Sequence, residues 1–351
     1  MNQFYRALHM PPARLFKKLT GSREIYTIAV RPRDPENPLP ALGQGAYTPL
    51  PYDPNTWYAD PLLCTWQGRQ VLFCEAFDRA AERGAIAVTE VAPNGFPAPP
   101  RVVLREDYHL SFPMTFAWNG RLYMIPESGA NHSLNLYVCR AFPDDWALAA
   151  SFPVGCELCD TIVWAQTPEA VTLLASETRP ENQLYSRWRR FTLSAGEAGF
   201  DLAPDDAFNC EYQTFSLASR NAGPLFDWGG QTVHPAQVST SVDYGVYLQF
   251  LVCQPGKTGA RPLCAAEPAR VTIEGLDPRD FIGIHTYCCD DALEILDVRY
   301  LRKDPAAPVP ARQEKFRFAL PRPAAAPAGA ANAAAPLPSP EKPSAPADRK
   351  E

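Results

Sequence analysis

The chain repeats one unit five times: a short apolar strand, a tight turn and a second apolar strand. The clearest copies are TWQGRQVLFCE at 65–75 and AWNGRLYMIPE at 117–127. In both, Gln-Gly or Asn-Gly is typical of a two-residue hairpin turn, and a glutamate ends the second strand. The copies that keep this pattern, two of them less closely, end in chain order at Glu75, Glu127, Glu177 and Gln237. A fifth copy, GIHTYCCDDALEILDVRY from Gly283, keeps both strands without the turn glycine.

The copies recur at the spacing of β-propeller blades. Their first strands begin near Asp60, Ser111, Asp160, Ala222 and His285. Periods of roughly 50 to 60 residues with several short strands and few helices are typical of propeller blades. The sequence therefore predicts an all-β fold, a single five-bladed β-propeller. The alternating segment EIYTIAVRP at 24–32 is predicted to complete the last blade, which would close the ring and leave no sheet edge exposed.

Composition divides the chain into three parts. The segment 321–351 is dominated by proline and alanine and contains no aromatic residue, so it cannot bury enough apolar surface to offset the entropy of ordering it. We predict a basic N-terminal extension (1–23), the propeller (24–320) and a disordered Pro/Ala-rich tail (321–351). The tail is also the predicted place for a protein partner, if the chain has one.

Charge and hydropathy exclude several classes of partner. The 33 basic and 39 acidic residues give a net charge of −6, so no general attraction to nucleic acid is expected. No apolar stretch is long enough for a transmembrane segment. The N-terminal extension lacks the apolar core of a secretory signal. Pro11 and Pro12 are predicted to break any amphipathic helix in it, which leaves a solvated extension.

Cysteine usage agrees with a cytoplasmic location. Ten cysteines without an export signal predict free thiols in a reducing compartment. Cys156 and Cys159 form one Cys-x-x-Cys pair, but no second pair stands at zinc-ligand spacing. The sequence also has no phosphate-cradling glycine loop or nucleotide fingerprint. We therefore predict no metal and no cofactor.

Residues at equivalent points of the blades are predicted to share one pocket. The innermost strands of a propeller converge on an axial channel, so these residues meet at its mouth. They are Trp57, Asp60, His109, Asp160, Arg220 and His285. Carboxylates that face each other across a narrow channel raise one another's pKa, which is the basis of paired acid and base chemistry. Structural alternatives stay open, since Asp-Pro is common in turns and a buried histidine is often only a core residue.

Six motifs in one order resemble a known family. They are WYADPLL, HLSFPMTFAWNGRLYMIPES, CDTIVWA, SRNAGPLF, YGVYLQF and GIHTY. Together they resemble the N-terminal domain of the plant glucosamine inositolphosphorylceramide transferases over roughly residues 24–303, and more distantly the five-bladed clan of arabinanases, β-xylosidases and invertases. The resemblance implies a carbohydrate context. In the plant enzymes, glycosyl transfer belongs to a separate glycosyltransferase domain, which nothing in this sequence resembles.

The hydrolase clan also implies roles for particular residues. It uses an Asp in the first blade as base or nucleophile, a stabilising Asp in a later blade and a Glu acid before Gly-Pro. Asp60 in ADP matches the first, and Asp160 in CDT matches the second. The third is absent, because Ala222 stands in AGP, with Arg220 two positions earlier. Arginine cannot donate a proton near neutral pH, but it binds carboxylates and phosphates. Either Glu127 supplies the acid, or the pocket recognises an acidic sugar without cleaving it.

These observations predict a cytoplasmic carbohydrate-active or carbohydrate-binding propeller that acts in the synthesis or modification of a surface glycan or glycolipid. The predicted catalytic residues are Asp60, Asp160 and Glu127. The predicted sugar-binding residues are Trp57 as a stacking platform, His109, Arg220 for an acidic group, Gln237 and His285. Two alternatives stay open: a glycoside hydrolase or transglycosidase with an unconventional acid, and a non-catalytic scaffold that binds another protein.

Overall fold

The computed structural model describes residues 10–19, 21–33, 45–197, 199–253 and 261–303. These residues form five antiparallel sheets, each of four or five strands, and almost no helix. The prediction of an all-β, five-bladed propeller is confirmed. The tail predicted for 321–351 lies outside the described residues. No helix of the described part of the chain is long and apolar enough to cross a membrane.

The first three blades are simple meanders, with strands numbered along the chain. Blade 1 contains β3 (Thr56–Trp66), β4 (Arg69–Asp78), β5 (Arg83–Thr89) and β6 (Arg101–Leu104). Blade 2 contains β7 (Ser111–Trp118), β8 (Arg121–Glu127), β9 (Ser133–Ala141) and β10 (Asp145–Pro153). Blade 3 contains β11 (Leu158–Gln166), β12 (Ala170–Arg179), β13 (Asn182–Gly196) and β14 (Gly199–Pro204).

In the last two blades the innermost strand is interrupted. Blade 4 contains β15 (Arg220–Asn221) and β16 (Phe226–Trp228), both paired with β17 (Gln231–Val238), followed by β18 (Tyr247–Cys253) and β19 (Arg261–Ala266). Blade 5 contains β20 (Phe281–Gly283) and β21 (Tyr287–Cys289), both paired with β22 (Leu293–Lys303), and then β1 (Ser22–Pro32) and β2 (Thr48–Pro49).

Blade 5 joins the two ends of the propeller. Strand β1 runs antiparallel to β22 over its full length, from Ser22 opposite Lys303 to Pro32 opposite Leu293. The prediction that 24–32 completes the last blade is confirmed. Because this pairing connects residues far apart in sequence, the ring closes only when both segments are present.

The predicted hairpin turns are also confirmed. Gln67 and Gly68 have φ values of 51° and 75°, and Asn119 and Gly120 have φ values of 49° and 74°. Positive φ at both central residues is the geometry that Asn-Gly and similar pairs adopt most readily in two-residue hairpins.

The hydrophobic core lies between neighbouring blades. Phe73 and Ile86 of blade 1 pack with Met124 of blade 2, and Ile125 of blade 2 packs in a cluster with Leu173 of blade 3. All five side chains are fully buried. This packing fixes the blades against one another and therefore sets the positions of their innermost strands.

Those innermost strands carry matching bulges in blades 1, 2 and 3. The register shifts between Ala59 and Leu62, between Ser111 and Met114, and between Cys159 and Ile162. Each bulge contains one non-glycine residue with positive φ: Asp60 (52°), Phe112 (42°) and Asp160 (47°). A bulge turns a side chain away from the sheet face, and a left-handed residue in it stores strain. The predicted start of the blade 2 strand at Ser111 is confirmed, and Phe112, the next residue, occupies the bulge position that Asp60 has in blade 1.

The N-terminal extension contains a helix that the sequence analysis did not expect. Helix α1 (Pro12–Leu19) begins at Pro12, and a second helix, α2 (Asp206–Glu211), lies before blade 4. The prediction that Pro11 and Pro12 break such a helix is wrong, because proline is tolerated in the first turn, where its missing N–H would have no helical partner. Arg14 of α1 is ion-paired with Glu24 and Asp243 of the propeller.

Replacing Arg14 with methionine is expected to loosen α1. The side chain is only 12% exposed, but both of its partners have a second cation, so the free energy of unfolding should fall by only about 1 kcal/mol. Trypsin should then cleave within α1 faster than in the parent protein. An Arg101→Met variant, which removes an exposed pair with Asp144, should behave like the parent. Unchanged cleavage in the Arg14 variant would show that these contacts do not hold the helix.

Candidate functional site

Arg220 connects three blades at the centre of the ring. Its Nε donates a hydrogen bond to Asp160 Oδ2 at 2.5 Å, and its Nη2 lies 3.3 Å from Glu127 Oε2. Arg220 belongs to blade 4, Asp160 to blade 3 and Glu127 to blade 2. Because blades 2 and 4 are not neighbours, the contact with Glu127 crosses the axial channel.

Asp60 occupies the same centre from blade 1. Its Oδ1 accepts a hydrogen bond from Thr286 Oγ1 at 2.7 Å, and its Oδ2 accepts one from the backbone N–H of Phe112 at 3.2 Å. His285 Nε2 lies 3.7 Å from Asp60 Oδ1. The carboxyl group therefore joins blades 5, 1 and 2, and only 5% of the residue is exposed.

Asp297 is a buried carboxylate that contacts both Asp60 and His285. It is fully buried on β22 and accepts backbone hydrogen bonds from His285, Thr286 and Asp60 at 3.1, 3.0 and 2.9 Å. His285 Nδ1 lies 2.6 Å from Asp297 Oδ2. One carboxylate thus holds the ends of two blades together.

The only group of three potential metal ligands found in the described part of the chain is Asp60, His285 and Asp297, whose ligand atoms lie within 4.8 Å of one another. The chemistry of this group fits a structural role better than a metal site. Both oxygens of Asp297 already accept two contacts each from protein N–H groups, which leaves no lone pair for a cation. The predictions of no metal and no cofactor stay predictions, including that for Cys156 and Cys159, which are free thiols.

Gln237 and Tyr244 complete the blade 4 side. Gln237 Nε2 donates to Asp160 Oδ2 and to Tyr244 Oη, each at 3.2 Å. The guanidinium of Arg220 lies 4.9 Å from the centre of the Tyr244 ring. Tyr244 therefore holds both Arg220 and Gln237 against Asp160. The sequence analysis missed Tyr244, which carries no repeat signal because it lies in the loop between β17 and β18.

Five aromatic rings follow one another from blade 5 to blade 2. The centroids of His285 and Tyr26 are 4.7 Å apart, those of Tyr26 and Trp57 4.9 Å, those of Trp57 and Phe77 4.3 Å, and those of Phe77 and His109 6.0 Å. Phe77 covers one face of the Trp57 indole in a nearly parallel stack of 9°. The role of Trp57 as a sugar platform stays a prediction, because Phe77 and Tyr26 both pack against the indole ring.

Burial and like charges favour protonated acids in this centre. Burial raises the pKa of Asp60 to about 6, although His285 opposes the shift. Burial and the neighbouring Asp160 carboxylate raise the pKa of Glu127 well above its usual range, against the effect of Arg220, and a hydrogen bond to Asp160 raises it further. These shifts favour the protonated form of Glu127, and Asp60 titrates with a pKa of about 6.

The pKa values of His285 and Arg220 are also raised, which for these two groups favours the charged form. Burial lowers the pKa of His285, but the carboxylates of Asp297 and Asp60 outweigh it, and the net pKa lies above the ordinary value. Burial also acts against the charge of Arg220, and Asp160 more than compensates, so the Arg220 pKa is raised. Both cations are therefore held in place by carboxylates of the site itself.

The structure brings most of the predicted residues together. Contacts link Asp160, Glu127, Arg220 and Gln237 into one group and Asp60 and His285 into a second. Tyr244 joins the two groups, because it accepts a hydrogen bond from Gln237 and its ring centroid lies 5.7 Å from that of His285. The aromatic series adds Trp57 and His109. Ala222 contributes only its backbone, since its carbonyl accepts a hydrogen bond from the N–H of Tyr287. Glu177 lies outside the cluster, where Arg187 binds both of its oxygens at 2.9 and 2.8 Å.

Register explains why Glu177 differs from the other second-strand glutamates. Glu75 lies opposite Ala59 and Glu127 opposite Ser111, but their blade 3 equivalent, opposite Cys159, is Ser176. Sequence reasoning also missed Asp297. A signal for it existed, because an acidic residue within the apolar strand EILDVRY is unusual for a core position.

Comparison with known proteins places this architecture in context. The family model described as glucosamine inositolphosphorylceramide transferase 1, N-terminal, matches residues 46–252. The chain is 36% identical over 96 residues to glucosamine inositolphosphorylceramide transferase 1 of Arabidopsis thaliana, which covers 27% of this chain and 12% of the plant protein. The protein of that name from Oryza sativa subsp. indica is 31% identical over 145 residues, 40% of this chain and 18% of the rice protein. The chain therefore corresponds to a small part of these relatives.

Solved structures with a similar chain path are glycoside hydrolases. The catalytic domain of a Coprinopsis cinerea GH62 alpha-L-arabinofuranosidase aligns with a TM-score of 0.45 at 12% identity, over 69% of this chain and 90% of that chain. The Cellvibrio cellulosa alpha-L-arabinanase aligns with a TM-score of 0.36 at 14% identity, over 59% and 77%. At these scores and identities the likeness carries no information about activity.

Proposed function

This chain belongs to the family of the glucosamine inositolphosphorylceramide transferase 1 N-terminal domain, and on that premise we propose that it binds a carbohydrate, free or carried on a lipid, in the axial channel of its propeller. One observation carries the proposal. Polar side chains of all five blades meet across the channel, as the contact of Arg220 with Glu127 illustrates, beside a row of aromatic rings. A small number of polar side chains that converge beside an aromatic surface is typical of small-molecule binding sites.

The context that we propose is the synthesis or modification of a surface glycan or glycolipid. The relatives carry the name glucosamine inositolphosphorylceramide transferase 1, which joins a sugar and a lipid, and this chain would supply the part that recognises the sugar. A cytoplasmic location belongs to the same proposal and rests on the sequence alone.

Charge favours a neutral ligand over the acidic sugar that the sequence suggested. Arg220 is only 13% exposed and already pairs with Asp160 and Glu127. The other cation of the channel, His285, is likewise paired, with Asp297. An anionic ligand would have to displace a carboxylate from Arg220, which costs free energy in a poorly solvated site.

A glycan array with neutral, amino and acidic glycans, followed by calorimetry, tests this proposal. The parent protein should bind at least one neutral or amino glycan, and Asp60→Asn and Glu127→Ala should each weaken binding roughly tenfold or more. The matched control is Glu177→Gln, a second-strand glutamate outside the channel, which should bind like the parent. If no glycan binds, the scaffold function replaces this proposal. Preference for acidic glycans would restore the predicted role of Arg220.

A second function, glycoside hydrolysis or transglycosylation, is favoured by the pairing of a protonated Glu127 with Asp60. Glu127 would give its proton to the leaving oxygen as the glycosidic bond breaks, while Asp60 takes a proton from the attacking water or hydroxyl group. Release of 4-nitrophenol from a panel of aryl glycosides measures this. Turnover that Asp60→Asn abolishes while glycan binding persists would establish catalysis. Binding without turnover in the parent would assign the channel to recognition alone.

A further inference from the structure

We propose that Glu75 and His109 form a proton-donor pair at the channel, in which Glu75 donates a hydrogen bond to an oxygen of the bound sugar and His109 fixes which carboxyl oxygen carries the proton. The inference rests on the proposed function, because it assigns a role toward the same ligand. Neither Glu75 nor His109 takes part in the hydrolysis proposed for Asp60 and Glu127.

The position of Glu75 places it in the central cluster. It lies on β4 opposite Ala59, the residue before the bulge of blade 1. Glu127 holds the equivalent position in blade 2, opposite Ser111. Only 4% of Glu75 is exposed. The groups that act on its charge come from several blades: Asp60, Glu127, Asp297 and Asp160. Glu75 therefore faces the other carboxyl groups, and unlike Glu177 it has no arginine partner among the residues that the structure describes.

Hydrogen bonding fixes the tautomer of His109. The backbone N–H of Gly84 donates to His109 Nδ1 at 3.0 Å, so Nδ1 is the acceptor and the proton of a neutral imidazole is on Nε2. His109 Nε2 lies 3.3 Å from Glu75 Oε1. An Nε2–H donor that faces Oε1 requires Oε1 to be the acceptor, so a proton on Glu75 is carried by Oε2.

Glu75 Oε1 is a buried atom that lacks a regular hydrogen bond within the described residues. Its contact with His109 is within ion-pair distance but is not aligned as a hydrogen bond. A buried oxygen without a hydrogen-bond partner destabilises the folded protein, so such atoms are often found where a ligand or water binds. Loose contacts of this kind often tighten only when a ligand is bound. A ligand that accepts from Oε2 would draw the pair together.

The backbone at Gly84 leaves room for this pair. A Cβ there would lie 2.6 Å from Glu75 Oε1, 2.8 Å from His109 Cε1 and 2.4 Å from the carbonyl oxygen of Leu110. No side chain fits at such distances, so glycine is required where the strand passes the pair. The same glycine supplies the N–H that selects the tautomer.

Protonation states agree with this geometry. Burial raises the pKa of Glu75 well above its usual range, and the charges of Asp60 and Glu127 raise it further. Burial and the nearby charge of Arg220 together lower the pKa of His109 to about 4. These shifts favour a carboxylic acid beside a neutral imidazole, which is the donor state. Affinity for the sugar should fall as the pH rises through the pKa of Glu75.

Calorimetry of one array-positive neutral glycan between pH 5 and 9 tests the pair, with proton uptake obtained from buffers of different ionisation enthalpy. In Glu75→Gln the amide keeps a donor, so affinity should hold while the pH dependence and the proton uptake due to Glu75 disappear. In His109→Asn the carboxylate loses its Nε2–H support, so the loss of affinity should move to higher pH. The control, Glu177→Gln, should keep the parent profile.

The outcomes separate this inference from the proposed function. If the parent binds and Asp60→Asn weakens binding, but Glu75→Gln keeps the pH profile and proton uptake of the parent, the pair is only structural and the inference is wrong. If His109→Asn leaves the midpoint unchanged, the role of His109 is wrong. If the parent binds no glycan, the proposed function fails and the inference fails with it.

Discussion

Replacing Arg220 with methionine is expected to lower the free energy of unfolding by about 3–5 kcal/mol at neutral pH. The guanidinium is the shared partner of Asp160 and Glu127, and all three side chains are at most 13% exposed. Without it, a buried carboxylate remains unpaired, which is the costly way to break a buried ion pair. Urea unfolding of the parent and the variant measures the difference.

Two comparisons make this expectation specific. Adding Asp160→Asn to the Arg220→Met variant should recover part of the stability, because it removes the orphaned charge. The matched control is Arg101→Met, which removes an exposed pair with Asp144 and should cost less than about 1 kcal/mol. A loss below about 1 kcal/mol in the Arg220→Met variant, typical of an exposed pair, would mean that water reaches the cluster and replaces the guanidinium.

Replacing Asp297 with alanine is expected to cost a similar amount, about 3–5 kcal/mol. This fully buried carboxylate accepts backbone hydrogen bonds from Asp60, His285 and Thr286 and pairs with the His285 ring. The variant would leave three buried N–H groups without a partner and remove the main counter-charge of His285. Because Asp60 belongs to blade 1 and Asp297 to blade 5, the variant loses a hydrogen bond between the two blades that close the ring.

The pH dependence of this second effect has a defined sign. The pKa of His285 is raised in the folded protein, so its ion pairing stabilises fully below the ordinary histidine pKa of about 6.5 and is lost as the pH rises through the folded value. The gap between parent and Asp297→Ala should therefore be larger at pH 6 than at pH 9. The exposed Asp144→Asn variant should unfold like the parent at both. An equal gap at both pH values would mean that His285 is neutral in the folded protein.

Both predictions bear on how the binding experiments are interpreted. A channel residue that stabilises the ring can weaken sugar binding simply by loosening the site. Unfolding measurements on each variant therefore have to accompany the calorimetry, and changes in pH profile or proton uptake are the readouts that a purely structural role would not produce.

The five-bladed architecture could be predicted because its information is local. The hairpin around Gln67 and Gly68 pairs residues no farther apart in sequence than Thr56 and Asp78, and the turn residues set the backbone angles that join the strands. The closing strand at 24–32 was predictable for a related reason, since an alternating strand before the first blade has one unpaired edge to satisfy. Helix α1 was not, because its ion pairs with Glu24 and Asp243 arise only in the folded protein.

The membership of the site was predicted better than its chemistry. Equal spacing along the repeats identified Asp60 and Asp160, which occupy matching bulges with positive φ. Spacing could not show that Arg220 is ion-paired with Asp160 and Glu127, because those residues lie 60 and 93 positions away in sequence. The sequence suggested an anion-binding arginine, and the geometry favours one that positions carboxyl groups.

The amino-acid sequence by itself determined the strands, the turns, the number of blades and which repeat positions point toward the axis, since each of these depends on periodicity and on neighbours in the chain. Tertiary structure alone decided the electrostatics of the channel. Asp297 reaches Asp60 across 237 positions, and Glu75 meets His109 only because two blades pack side by side. Protonation in such a site depends on burial and on charges a few ångströms away, and these distances exist only after the ring has closed.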